Sequence, residues 1–298
     1  MQTIGSKKSG ATRKSRAPAR RSTIALLLSL ACAGMSIAEA GAPDTAEPAG
    51  DPAARARRLF EAARAAFLEA PTNATTAWHF GRACFDWAEF ATNGAQRLAI
   101  AGDGVIASRA ALRANTNLAA APYYLGMNLG QIARVKLFSA LGLLDDMRDQ
   151  FEAARRLDER FDEAGPDRNL GLLYRDAPGW PVSLGDRAKA EHHLARAVVL
   201  SPDYPENRLN LVESRLRWRQ RTLAAEEIKA LAALLPRARV AYTGEAWALS
   251  WEDWDRRWQE VQTRARKLGI ETGTAPSGAS SAASGGSAPK GNNKKAPR

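Results

Sequence analysis

Apolar positions along this chain recur at steps of three and four, the spacing of one helix face, and alternating runs of the strand type are absent. Leu59, Phe60, Ala63 and Phe67 predict a first helix over residues 51–70, closed by Pro71, with Thr72 placed to cap the next. Trp78, Phe85 and Ala88 mark a second helix, and a third spans 94–113. Pro122 opens a fourth carrying Leu125-Gly126 and Leu129. The stripe Leu143, Leu144, Met147, Phe151, Ala154 and Leu157 predicts a fifth over 139–160. Leu170-Gly171 and Tyr174 mark a sixth, and Ala190, Leu194 and Ala197 a seventh ending at Pro202. Pro205 starts an eighth with Leu209, Leu211 and Leu216. A ninth runs over 222–235 and a tenth over 244–268. The fold expected is all-α, about ten helices in one domain over 51–271.

The seventh and ninth helices share an internal spacing. Ala190, Leu194, Ala197 and Pro202 are matched 34 residues later by Ala224, Ile228, Leu231 and Pro236. A period of about 34 residues is that of stacked helix–turn–helix units of the tetratricopeptide kind, each of which buries its apolar face on its neighbours to form a solenoid. Small residues allow helices to cross closely, Leu194 fills the gap, and the prolines are expected to stop the helices. Trp78 and Phe85, Leu125-Gly126 and Leu129, and Leu170-Gly171 and Tyr174 fit the first helix of such units. Ala190 follows Leu170 by 20 residues where a regular unit gives 13, and the excess falls in a loop over 176–185 with two prolines and two glycines.

Charge alters this picture only at the ends. The net charge is +11, but residues 1–40 hold seven basic groups and one acid, and residues 272–298 hold four basic groups and none. The segment between them keeps 32 basic and 31 acidic residues, so bulk charge gives no support for nucleic-acid binding. Residues 1–40 read as a secretory signal. A basic stretch ends at Arg21, an apolar one runs from Ile24 to Ala38, and Ala38-Glu39-Ala40 offers small residues at the cleavage site. The apolar run of 15 residues is short of the roughly 20 a spanning helix needs, so export to the periplasm with no retained span is expected. Cys32 is poorly placed for lipidation, since Ser29 stands three residues before it where Leu is expected. Residues 41–50 form a lead-in, and 272–298 have the composition of a disordered basic tail. Cleavage after Ala40 leaves Cys84 as the sole cysteine, and a buried apolar role suits it.

Three groups of residues are candidates for binding. Trp247, Trp251, Trp254 and Trp258 step by 4, 3 and 4 along one helix face. They fit either the buried side of a terminal capping helix or a partner interface. Trp180, between Gly179 and Pro181, fits either a lid on the inserted loop or a plug holding it against the helices. Asn128, Gln131, Arg134, Asp167, Arg168, Asn169, Asn207, Arg208 and Asn210 fall on first helices, which line the concave side of such solenoids. Capping and inter-repeat hydrogen bonds account for them, and a ligand carboxylate would also suit the arginines. Adjacent His192 and His193 point to different sides of a helix, and HExxH, GxGxxG and Walker-type loops are absent. No catalytic residue, metal or cofactor is expected.

The run Ala177-Pro-Gly-Trp-Pro-Val-Ser-Leu-Gly-Asp186, followed by Lys189, Ala190, Glu191, His193, Leu194 and Ala197, resembles the T component family of TRAP transporters. That resemblance implies a tetratricopeptide-like periplasmic protein, a trimer, and association with a substrate-binding subunit around a partly apolar ligand channel. A non-enzymatic exported scaffold is therefore the expected function. The alternative is a cell-envelope assembly factor whose basic tail touches anionic wall or membrane.

Overall fold

The computed structural model describes residues 51–136 and 140–271. The expected signal with Ala38 and Ala40, Cys32, the lead-in at 41–50 and the tail at 272–298 lie outside the described residues. Ten α-helices fill the described chain: α1 (Pro52–Glu69), α2 (Ala74–Ala88), α3 (Gly94–Ala114), α4 (Ala120–Val135), α5 (Ala140–Leu157), α6 (Phe161–Asp176), α7 (Arg187–Leu200), α8 (Pro205–Arg217), α9 (Arg221–Ala241) and α10 (Ala248–Lys267). A 3-10 turn, Glu245–Trp247, precedes α10. The fold is all-α, and the described residues contain no strand beyond an isolated bridge between Gly179 and Gly185. Helices pack against their neighbours in sequence order, from α1 on α2 through to α8 on α9, while α10 returns to α8. No helix among the described residues is long and apolar enough to cross a membrane.

Local chemistry explains the boundaries, with two corrections to the sequence reading and one feature it did not address. Asn73, not Thr72, caps α2: its side chain accepts from Thr75 N at 2.8 Å, leaving its neighbour uninvolved. Helix α9 runs through Pro236 to Ala241 instead of stopping before it. A proline inside a helix costs about 3 kcal/mol. Burial of Leu234, Leu235 and Ala238 on either side offsets it. The sixth helix is not continuous. Asp162, Glu163 and Ala164 have φ of 51°, 55° and 62°, a left-handed turn, and the right-handed helix starts only at Gly165-Pro166. Left-handed backbone costs roughly 1–2 kcal/mol per non-glycine residue, so this turn needs external support.

Close approach within hairpins recurs. A Cβ on Gly81 of α2 would stand 2.5 Å from the Ser108 hydroxyl of α3. One on Gly126 of α4 would meet the Phe151 ring of α5 at 2.7 Å, and one on Gly171 of α6 would meet Leu194 of α7 at 2.6 Å. These glycines lie at 81, 126 and 171, and their partners at 108, 151 and 194, so both series are evenly spaced. Leu194 and Ile228 are both buried, on α7 and α9. Around these contacts lies a large apolar core spanning α2–α8, and a second one joins α8, α9 and α10.

Candidate functional site

Arg168 is the centre of the polar interior. It is 2 % exposed, in the first turn of the right-handed part of α6, where the left-handed turn folds back over it. Its Nη2 donates to Asp162 Oδ2 at 2.7 Å and to the Asp162 carbonyl at 3.1 Å, and its Nη1 to the Glu163 carbonyl at 3.0 Å. Nη1 also reaches Asn207 Oδ1 at 3.1 Å, and the guanidinium lies 5.3 Å from the centre of the Tyr204 ring. Tyr123 donates to Asp162 in a short hydrogen bond, and Asn169 Nδ2 donates to Tyr123 Oη at 3.1 Å. Asn207 Nδ2 donates to the Glu163 carbonyl at 2.9 Å and to that of Ala197 at 3.1 Å. The strained turn is thus held from both α6 and α8. Burial opposes the charge on Arg168, yet Tyr123 and Asp162, with Tyr204 and Glu206, hold it above the usual arginine value.

The network continues into α10 through Arg257, Glu213 and Glu206, which sequence reasoning did not single out as candidates, and through Asn210, which it did. Arg257, 5 % exposed, donates to Glu213 from Nε at 2.8 Å and from Nη2 at 2.9 Å, and to Asn210 Oδ1 at 2.6 Å. Glu206 lies between the two arginines, 1 % exposed, with Tyr204 donating to it at 3.4 Å. Burial, only partly countered by Arg168 and Arg257, pushes the Glu206 carboxyl above its usual value. Burial acts the same way on Glu213, but the charge and hydrogen bonds of Arg257 prevail and hold it below. On α10, only the spacing of Arg257 three residues after Trp254 on the buried stripe could have flagged this cluster.

Other predicted residues also face inward. Asn128 is fully buried and ties α4 to α2, its Nδ2 donating to the Gly81 carbonyl at 2.8 Å. Gln131 donates to Glu89 at 2.5 Å and accepts from Arg97 at 2.7 Å, and Arg134 joins Glu89 at 2.7 Å. Arg208 pairs with Glu227, which Arg215 also reaches at 3.0 Å. Asp167 is buried against His193 Nδ1 at 2.8 Å. Of the tryptophans on the last helix, Trp254 is wholly buried, in edge contact with Tyr204 at 5.5 Å. Trp247, Trp251 and Trp258 are half-buried against the same core, and Trp251 Nε1 donates to the Tyr242 carbonyl at 2.6 Å. Cys84 is buried and free, its thiol pushed up by burial.

Trp180 is the exception. It is 88 % exposed, and so it does not plug the loop against the helices. The loop has its own scaffold: Gly185 N donates to the Pro178 carbonyl at 2.9 Å and Asp186 N to that of Tyr174 at 2.9 Å. A Cβ on Gly185 would stand 2.7 Å from the Pro178 carbonyl, so the closure requires glycine. Ala177 and Leu184 anchor the two arms on the core, and the Trp180–Pro181 bond is cis. Among the described residues no group of three or more His, Cys, Asp or Glu side chains could hold a metal ion. No protein-family model matches the chain, and no curated protein matches it.

Proposed function

We propose that the chain is a helical-repeat scaffold of the tetratricopeptide-like kind, whose work is to hold a partner and not to transform a substrate. The evenly spaced glycine seats at 81, 126 and 171, each receiving a side chain from the following helix, carry the helical-repeat part of this reading; their step of 45 residues is longer than the 34 of a regular tetratricopeptide unit, as inserted loops between hairpins would make it. They make successive hairpins alike, as a solenoid requires. The first-helix polar residues serve the scaffold itself. Asn128 and Asn169 tie α4 to α2 and α6, and Arg168 and Asn207 tie α6 to α8, which fixes the register of one hairpin on the next.

The loop and its glycine closure, leading into α7, are the part that resembles TRAP T components. On that ground the partner is a periplasmic substrate-binding subunit, and the scaffold assembles as a trimer. Sedimentation velocity of the purified chain, alone and mixed with a substrate-binding subunit encoded beside its gene, tests this. A trimer that co-sediments with the subunit is expected. A monomer that ignores the subunit removes the transporter role.

A further inference from the structure

The inserted loop lies at an edge of the molecule where exposed apolar and basic side chains meet. Its apex presents Trp180 at 88 % exposure and Val182 at 62 %. Arg217, from the end of α8, reaches Asp176 at 2.5 Å, and Arg187 at the start of α7 lies 5.2 Å from the Trp218 ring, so the α8–α9 turn sits beside the loop. Arg221 donates to the Leu268 carbonyl, which brings the end of α10 to the same edge. Arg187, Lys189, Arg217, Arg219 and Arg221 are all exposed there. Three acids in these segments, Asp176, Asp186 and Glu191, are engaged internally, Glu191 by Gln220 Nε2 at 2.9 Å. Asp176, its side chain 5 % exposed, accepts from Arg175 and Arg217, and Asp186 caps α7 through the backbone N–H groups of Ala188 and Lys189.

We infer that this edge docks on an anionic lipid bilayer, with Trp180 and Val182 entering the interfacial layer and the surrounding cations resting on the headgroups. Two physical points favour a bilayer over a protein groove. A stable protein interface covers about 800 Å² per partner, and a convex tip of two apolar side chains does not supply that. An indole ringed by cations is matched instead to the polar–apolar boundary of a charged membrane, where Trp concentrates and each nearby Lys or Arg adds attraction. The hydrogen-bonded base of the loop keeps the apex presented, so little ordering is needed on contact. This docking is separate from the substrate-binding-subunit reading above, and neither depends on the other.

The test is vesicle binding of the full chain to phosphatidylcholine alone and to phosphatidylcholine with one quarter phosphatidylglycerol, some of it brominated in the acyl chains. Residues 1–50 contain no Trp, so quenching by the brominated chains does not report on the leader. Expected are salt-sensitive binding only to the anionic vesicles, and quenching that disappears in Trp180→Phe with Val182→Ser. That double variant should bind on the order of tenfold more weakly. Arg219→Asn and Lys189→Gln should each weaken binding roughly fivefold. Val240→Ser, at a site 80 % exposed elsewhere on the surface, should change nothing. Equal binding to both vesicle types, or loop variants that bind and quench as the parent does, would overturn the inference. Failure to bind vesicles, with co-sedimentation of a protein partner that is lost in the Trp180 variant, would reassign the loop to protein recognition.

Discussion

Replacing Arg168 with Met tests how the interior is held together. Methionine keeps much of the stem volume but removes the ion pair to Asp162 at 2.7 Å, both turn-carbonyl hydrogen bonds and the contact with Asn207. Breaking a buried pair from one side costs about 3–5 kcal/mol, because the remaining charge stays desolvated. Asp162 keeps Tyr123, and the Glu163 carbonyl keeps Asn207, which places the loss near the middle of that range, about 4 kcal/mol. Lysine at 168 restores a charge but not the fork that reaches carboxylate and carbonyls together, so about half the loss should persist. Adding Asp162→Asn to the Met variant removes the stranded charge and should recover stability, a sign that simple loss of packing would not produce. Urea unfolding followed by circular dichroism at pH 7 measures all four proteins. A Met variant within about 1 kcal/mol of the parent, or an Asp162→Asn addition that only makes matters worse, would show that the turn does not depend on Arg168.

Glu206 and Glu213 should give stability profiles of opposite slope. With its folded pKa raised, Glu206 contributes stability that is present below its unfolded value of 4.5 and lost as pH rises through the folded value, so Glu206→Gln should gain on the parent between pH 4 and pH 8 in thermal melts. Glu213, depressed, contributes above 4.5 and loses that contribution as pH falls through its folded value; Glu213→Gln should cost about 2 kcal/mol at pH 7 and progressively less in acid. Gly126→Ala drives a Cβ to 2.7 Å from the Phe151 ring, an overpacking cost of about 1–3 kcal/mol against a helix gain of about 1. Phe151→Leu should relieve that clash, so additive urea midpoints in the double variant would count against the glycine seat. Cys84 should react with a disulfide reagent only in denaturant, and reaction in native buffer at the rate of a free thiol would contradict its burial.

Helix positions were largely legible because apolar spacing is a local property: α3 (Gly94–Ala114) and α7 (Arg187–Leu200) fall close to where periodicity put them. What escaped depends on contacts distant in sequence. No glycine marks the turn at Asp162–Ala164, because its stability comes from Arg168 and from Asn207 on another helix. Pro236 gave the usual local stop signal, and tertiary burial of its neighbours overrode it. The match of α7 with α9 drew attention to a 34-residue period, while the even series through Gly81, Gly126 and Gly171 shows only when each glycine is set against its partner. The candidate polar residues were correctly placed on helices, but spacing could not say which way Asn128, Arg168 and Asn207 would be enclosed. Exposure of Trp180 depends on how the loop closes, and only the Gly185 hydrogen bond to Pro178 reveals that.

Because each helix rests chiefly on those just before and after it along the chain, the architecture has no central keystone. A pair of helices could be inserted or deleted without redesigning the remainder, provided the newly opposed faces still match. Damage should also stay local: a flaw in α1 would loosen the front of the row while α8 and α10 remain clasped around Arg257. Molecules built this way can change length over evolutionary time as a wall gains or loses courses of brick.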